Sequence, residues 1–126
     1  MPLYRCLVPS RSVRLESRQA IARAITAVHC DATGAPPKFV HVFFIDMPDS
    51  DDAMVLVNGS IRAGRTAEQK QRIVTGVQTA FEQLAGMPSA RTRVDLTDVP
   101  ASWLMEGGRI MPEPGEEADW LAAGHE

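Results

Sequence analysis

Apolar positions alternate with two different periods along this chain, and the switches between them divide it into elements. Leu3 to Val8 has the composition of a strand. From about Val13 to Thr33 the apolar residues Ile21, Ala24, Ile25 and Val28 fall at helical spacing, with Ser12 expected as the N-cap and Gly34 followed by Pro36-Pro37 as the stop. Phe39 to Ile45 is a β-branched and aromatic run, apolar on both faces, which predicts a strand buried between layers. A polar connection over residues 46–53, containing Pro48, leads to a third strand, Met54 to Asn58. Thr66 and Gln69 form a capping box that opens a second helix, ending near Ala85 before Gly86 and Pro88, with Ile73, Val74, Val77, Ala80, Phe81 and Leu84 facing inward. Thr92 to Thr97 reads as a fourth strand. The Pro- and Gly-rich remainder reads as loops or a short hairpin.

Sliding the chain by 52 positions superposes its halves. Ile21 falls on Ile73, Gly34 on Gly86, Pro36 on Pro88, Asp46 on Asp98, and Pro48 on Pro100. An ungapped match through helix, turn and strand predicts two tandem β-α-β units, about 2–48 and 54–100, with a tail over 101–126, all in one domain spanning 1–126. The expected architecture is α+β with β-α-β order: a four-stranded sheet with both helices on one face. The opposite face would be left bare, so an oligomer is expected to cover it. The same shift places Pro2 on Met54, beside the central strands.

Composition narrows the chemistry without naming it. A net charge of −3 gives no argument for nucleic acid, and no apolar run is long enough for a membrane span. The strand beginning at the first residues, with no leader visible, predicts a cytoplasmic protein. Cys6 and Cys30 lie without metal-type spacing and are expected as buried thiols. The three histidines are scattered, and Gly59 to Gly64 lacks the lysine of a phosphate loop, so neither a metal nor a cofactor is expected.

The candidate chemistry lies at five positions. Removal of Met1 would leave Pro2 as a secondary amine at a strand start, and an α-amino group titrating near ~7.7–8.0 can be pushed lower by burial or cations. Arg62 and Arg65, three apart between a strand end and a capped helix N-terminus, suit an anion. His29 follows Ile25 by four and lies at the margin of the apolar face of the first helix, where it is either a packed side chain or a donor to that anion. Glu106 precedes Gly107-Gly108 in the tail, where a surface carboxylate is the default.

These residues carry a family resemblance. Met1-Pro2 with Tyr4, the segment from Ala24 to His29, Thr33-Gly34, the loop Arg62-Ala63-Gly64-Arg65 and the tail Glu106-Gly-Gly-Arg-Ile-Met-Pro-Glu-Pro-Gly115 with Trp120 beyond together resemble the tautomerase superfamily. Within it the chain is most similar to the cis-3-chloroacrylic acid dehalogenase group of the 4-oxalocrotonate tautomerase and MIF-type fold. The resemblance implies a homotrimer, Pro2 as catalytic amine, Arg62 and Arg65 holding a substrate carboxylate with His29 assisting, and Glu106 activating a water. It also implies a tyrosine on the last strand, where Asp95 stands here. A carboxylate cannot donate as a phenol does, and it raises a nearby amine's pKa. Proton transfer on a small enol or keto acid is therefore expected ahead of hydrolytic dehalogenation or hydration of a cis-3-haloacrylate. A catalytically silent small-ligand or protein-binding oligomer is the alternative from outside enzymology.

Overall fold

The computed structural model describes residues 1–48 and 53–124. Strand β1 (Leu3–Pro9) leads to helix α1 (Leu15–Thr33) and strand β2 (His41–Met47). The second unit repeats this as β3 (Val55–Arg62), α2 (Ala67–Ala85) and β4 (Thr92–Val99). Short 3-10 turns, Pro37–Phe39 and Ser89–Arg91, precede β2 and β4 at equivalent positions. The offset of 52 carries both ends of α1 onto those of α2. Of the connection expected over 46–53, Asp46 and Met47 belong to β2 and residues 49–52 lie outside the described residues.

The four strands form one sheet in the order β2-β1-β3-β4. β1 pairs parallel with β2, β3 parallel with β4, and the two units meet antiparallel through β1 and β3. Tyr4, Cys6 and Val8 of β1 and Val55, Val57 and Ile61 of β3 are buried against Ile21 and Ile25 of α1 and Ile73, Val77 and Phe81 of α2. This core is one face of the sheet plus one stripe of each helix. The other face carries Leu3, Leu7, Leu56, Phe43 and Ile45, but also Arg5, Asn58 and Asp95, so it is mixed, not apolar throughout.

Several local expectations are corrected. β2 is an edge strand that begins at His41, and its outward residues Phe43 and Ile45 are 41% and 40% exposed, so in the protomer it is covered on one face only. Phe39 is instead buried in the preceding turn. The N-cap position of α1 belongs to Arg14, without a side-chain cap, while the Ser12 hydroxyl donates to the Pro9 carbonyl. Leu84 is 39% exposed in the last turn of α2. The capping box on Thr66 and Gln69 forms in both directions.

The tail is more ordered than loops alone. A two-stranded hairpin, β5 (Met105–Glu106) and β6 (Arg109–Ile110), turns at Gly107-Gly108, and a short helix α3 (Glu117–Ala123) follows. Helix α3 was not anticipated, because its seven residues bury none of their own side chains fully and leave no clear periodicity.

Candidate functional site

Four element ends meet at one margin of the sheet: the start of β1, the end of β3, the last turns of α1 and the beginning of α2. Pro2 is buried there, its carbonyl accepting a hydrogen bond from the His41 amide (3.0 Å). The antiparallel register, Leu3 opposite Ser60, runs Pro2 and Met1 out beside the end of β3, where Arg62 stands.

Strand periodicity places Tyr4 on the same side as Pro2, facing α1. Its hydroxyl lies 2.7 Å from His29 Nδ1. Gly59 makes room for this: a Cβ there would lie 2.7 Å from Tyr4 Cε1 and 2.8 Å from Leu96 Cδ2. Burial raises the Tyr4 pKa well above the ordinary phenol range, so the oxygen keeps its proton. His29 Nδ1 is the one acceptor the structure offers that proton among the described residues, so the imidazole carries its own proton on Nε2. Burial, then Arg65, Arg62 and the amino terminus, push the His29 pKa down to about 3. His29 is therefore neutral at physiological pH. Both arginines and the chain's amine thus lie near enough to act on it.

The arginines are not equivalent. Arg62 is fully buried. It donates from Nη1 to the Pro112 carbonyl (2.7 Å) and from Nη2 to Glu117 Oε1 (2.7 Å), with its guanidinium over the Phe39 ring. Arg65 is half-buried and donates from Nη1 to the Thr33 carbonyl at 3.2 Å, while its buried Nε has no partner among the described residues. Burial and then Arg62 hold the Arg65 pKa below the usual guanidinium range, as expected where two cations lie near one another.

The tail does fold back. Glu106 Oε2 accepts from the Met1 amine at 2.5 Å, bringing a carboxylate to the chain start from 105 residues away. With Met1 in place, the Pro2 nitrogen is an amide. Asp95 is not drawn in: it sits exposed on β4, on the open sheet face, bonded to Arg93 (2.9 Å). Pro2, His29, Arg62, Arg65 and Glu106 thus gather, and Asp95 does not.

Two participants were not singled out from sequence. Tyr4 was legible in principle, since it lies two residues from Pro2 on one strand face. Glu117 was not, because nothing in a Pro-Gly-Glu-Glu stretch says which carboxylate turns inward. Among the described residues no group of three or more His, Cys, Asp or Glu is placed to hold a metal, and no helix is long and apolar enough to cross a membrane.

A strand-leading proline beside two arginines and a neutral histidine, on tandem β-α-β units, defines a protein of the tautomerase class. Residues 1–125 match the Tautomerase_3 family model, and the chain belongs to that family within the tautomerase superfamily. Among solved structures, it is similar to N1, a member of the cis-3-chloroacrylic acid dehalogenase family, at 28% identity and a TM-score of 0.89, covering 96% of this chain and 91% of that one. Native Ps01740 is 30% identical with a TM-score of 0.77 over 83% of this chain and all of its own. The Q0 fused 4-OT symmetric trimer shares the fold at 23% identity, with a TM-score of 0.80 over 98% of this chain and 100% of that one. No curated protein matches the sequence.

Proposed function

We propose that this chain, once Met1 is removed, is an amino-terminal-proline tautomerase that moves a proton within a small carboxylate-bearing enol or keto acid, without a cofactor. The observation that carries the reading is the convergence of the amino terminus, Glu106, two arginines and a neutral His29 at one margin of the sheet. In that setting the uncharged Pro2 amine takes a proton from the enol oxygen or from the carbon next to the carbonyl and returns it at the other position. The arginine loop holds the carboxylate. The Nε2–H of His29, fixed by Tyr4, donates to the oxygen on which enolate charge develops.

The contact between Glu106 and the terminal amine favours a second reading. A carboxylate beside an amine stabilises its protonated form. A cationic Pro2 with Glu106 as base toward water would suit addition of water to a 3-haloacrylate followed by loss of halide. The sign of the Pro2 pKa shift separates the two. Cations win in the tautomerase and the amine titrates near neutrality, whereas Glu106 wins in the hydratase and the amine titrates well above it. The protein is further proposed to act as a homotrimer in the cytoplasm, by similarity to the 4-OT trimer and from the uncovered sheet face.

Intact mass of untagged protein comes first, followed by ultraviolet assay of enol-acid ketonisation. A mass lacking one methionine together with ketonisation supports the tautomerase. A mass retaining Met1 in the native host removes proline chemistry and makes the chain a ligand- or partner-binding oligomer.

A further inference from the structure

We propose that Trp120 is a positioning residue: it clamps the β5-β6 hairpin to the body of the protein and so keeps Glu106 against the terminal amine. The proposal rests on the amino-terminal-proline reading and adds to it the side chain through which the tail acts on that amine.

The hairpin has only two cross-strand pairs, and short two-stranded hairpins do not hold their shape alone. Its pairs sort by face. Met105 stands opposite Ile110, and both are exposed; Glu106 stands opposite Arg109, and both are half-buried. Glu106 therefore meets the amine only while this second face is turned inward. Met111, just after β6, is buried and anchors the base of the hairpin. The strands themselves need a further hold.

Trp120 of α3 supplies it on two sides. Toward the body its ring meets Phe39 edge-on, with centroids 5.6 Å apart, and Phe39 is buried in the turn before β2. Toward the hairpin its Nε1 donates to the Ile110 carbonyl at 2.7 Å, and the Arg109 guanidinium lies 3.9 Å from its ring centroid. Arg109 Nη2 donates in turn to the Trp120 carbonyl at 2.7 Å. Both residues of β6 are thus tied to one tryptophan, and one of them is the cross-strand partner of Glu106. An indole suits the task, with a flat face for the guanidinium, an edge for Phe39 and one N–H for the carbonyl. Gly124 at the end of α3 serves the same contact, since a Cβ there would collide with Arg109 Nη1.

The charges at the terminus make this placement matter. His29 of α1 and Arg62 and Arg65 at the end of β3 and in the loop after it face the terminus from the body, and Glu117 is bonded to Arg62. Glu106 is the carboxylate that meets the amine, 2.5 Å from the Met1 nitrogen. The Pro2 nitrogen follows one residue along, so trimming leaves the new amine beside the same carboxylate. A carboxylate favours the protonated amine, so loss of the clamp lowers the Pro2 pKa.

The test follows the Pro2 nitrogen by nitrogen-15 NMR through a pH titration, in the full chain freed of Met1. Wild type is compared with Trp120→Leu, Trp120→Phe, Glu106→Gln and the double variant Trp120→Leu with Glu106→Gln. Glu106→Gln is expected to lower the Pro2 pKa by about one pH unit, and Trp120→Leu by about half a pH unit. In the Glu106→Gln background, Trp120→Leu should add less than about 0.2 pH unit, because the clamp acts through that carboxylate. Trp120→Phe keeps a ring and loses the N–H, so its titration should fall between wild type and Trp120→Leu; it also keeps the test open if the leucine variant does not fold. An unchanged Pro2 titration in both Trp120 variants overturns the proposal, as does a Trp120→Leu shift of equal size with and without Glu106. A tail that merely stabilised the fold would change the denaturation midpoint and leave this titration where it was. The readout needs no turnover, so a wild-type protein that titrates as described and fails to ketonise enol acids counts against the proton-transfer reading alone.

Discussion

Tyr4 and His29 show how one buried hydrogen bond sets the character of the pocket. Among the described residues the phenol proton has a single acceptor within reach, so it fixes which imidazole nitrogen faces inward and which is left to donate. Tyr4→Phe is expected to cost about 1–3 kcal/mol by leaving buried Nδ1 unpaired, measured by chemical denaturation. Nitrogen-15 spectra of His29 should show the Nε2–H tautomer in the wild type and a mixture in the variant; an Nδ1–H tautomer in the wild type would overturn the assignment. The depressed His29 pKa also has a sign. The unfolded chain binds a proton as pH falls through 6.5, whereas the native state does not until about 3, so folding stability contributed by neutral His29 is full above 6.5 and is lost progressively below it. Between pH 6.5 and about 5 this one site steepens the acid loss by up to about 1.4 kcal/mol per pH unit. His29→Gln is expected to flatten that slope, and an unchanged slope would mean that His29 titrates normally. The sequence made His29, Arg62, Arg65, Glu106 and Pro2 visible as candidates. The partners that distinguish the arginines lie 50 and 55 positions away in the tail, beyond anything spacing can report.

Helices and strands were far more legible than contacts, because the repeat states each signal twice. The αL caps Gly34 and Gly86, the turns before β2 and β4, and the two long helices recur at one offset. What failed were judgements resting on a single copy: the Ser12 cap, the burial of β2, and α3 in the tail. β2 misled because its continuous run of large apolar residues looks the same whether the outer face meets a layer or nothing in the same chain. Gly76 of α2 is a further element-scale constraint. A Cβ there would lie 2.6 Å from Val28 Cγ1, and a β-branched side chain on a helix has little rotamer freedom with which to retreat. Gly76→Ala should therefore destabilise by about 1–3 kcal/mol from overpacking, even though alanine favours a helix by about 1 kcal/mol over glycine. Val28→Ala in the same chain is expected to recover most of that loss in a denaturation experiment. A stabilised Gly76→Ala single variant would show that the helices part without cost.

At the scale of the molecule, the tandem units bury one sheet face under both helices and leave the other to the surroundings. Along that face Phe43 and Ile45 of the edge strand are about two-fifths exposed, with Leu3, Leu7 and Leu56 beside them on the neighbouring strands. Transfer of apolar area from water is worth roughly 25 cal/mol per Å², so the arrangement favours association. Arg5, Asn58 and Asp95 lie on the same face, and in the proposed trimer they would supply directional contacts that fix a register between copies. The Arg93–Asp95 pair makes no demand on the candidate site, which leaves Asp95 free for such a role. The proposed trimer is thus expected to fail when the apolar part is charged: Phe43→Glu with Ile45→Lys should give monomers by analytical ultracentrifugation. Those substitutions project away from the helix-side core, so the protomer should retain its helical circular dichroism. If the doubly charged variant sediments as the wild type does, the apolar stripe is not the association surface, and the exposed Trp103, Met105 and Ile110 of the tail become the residues to substitute next.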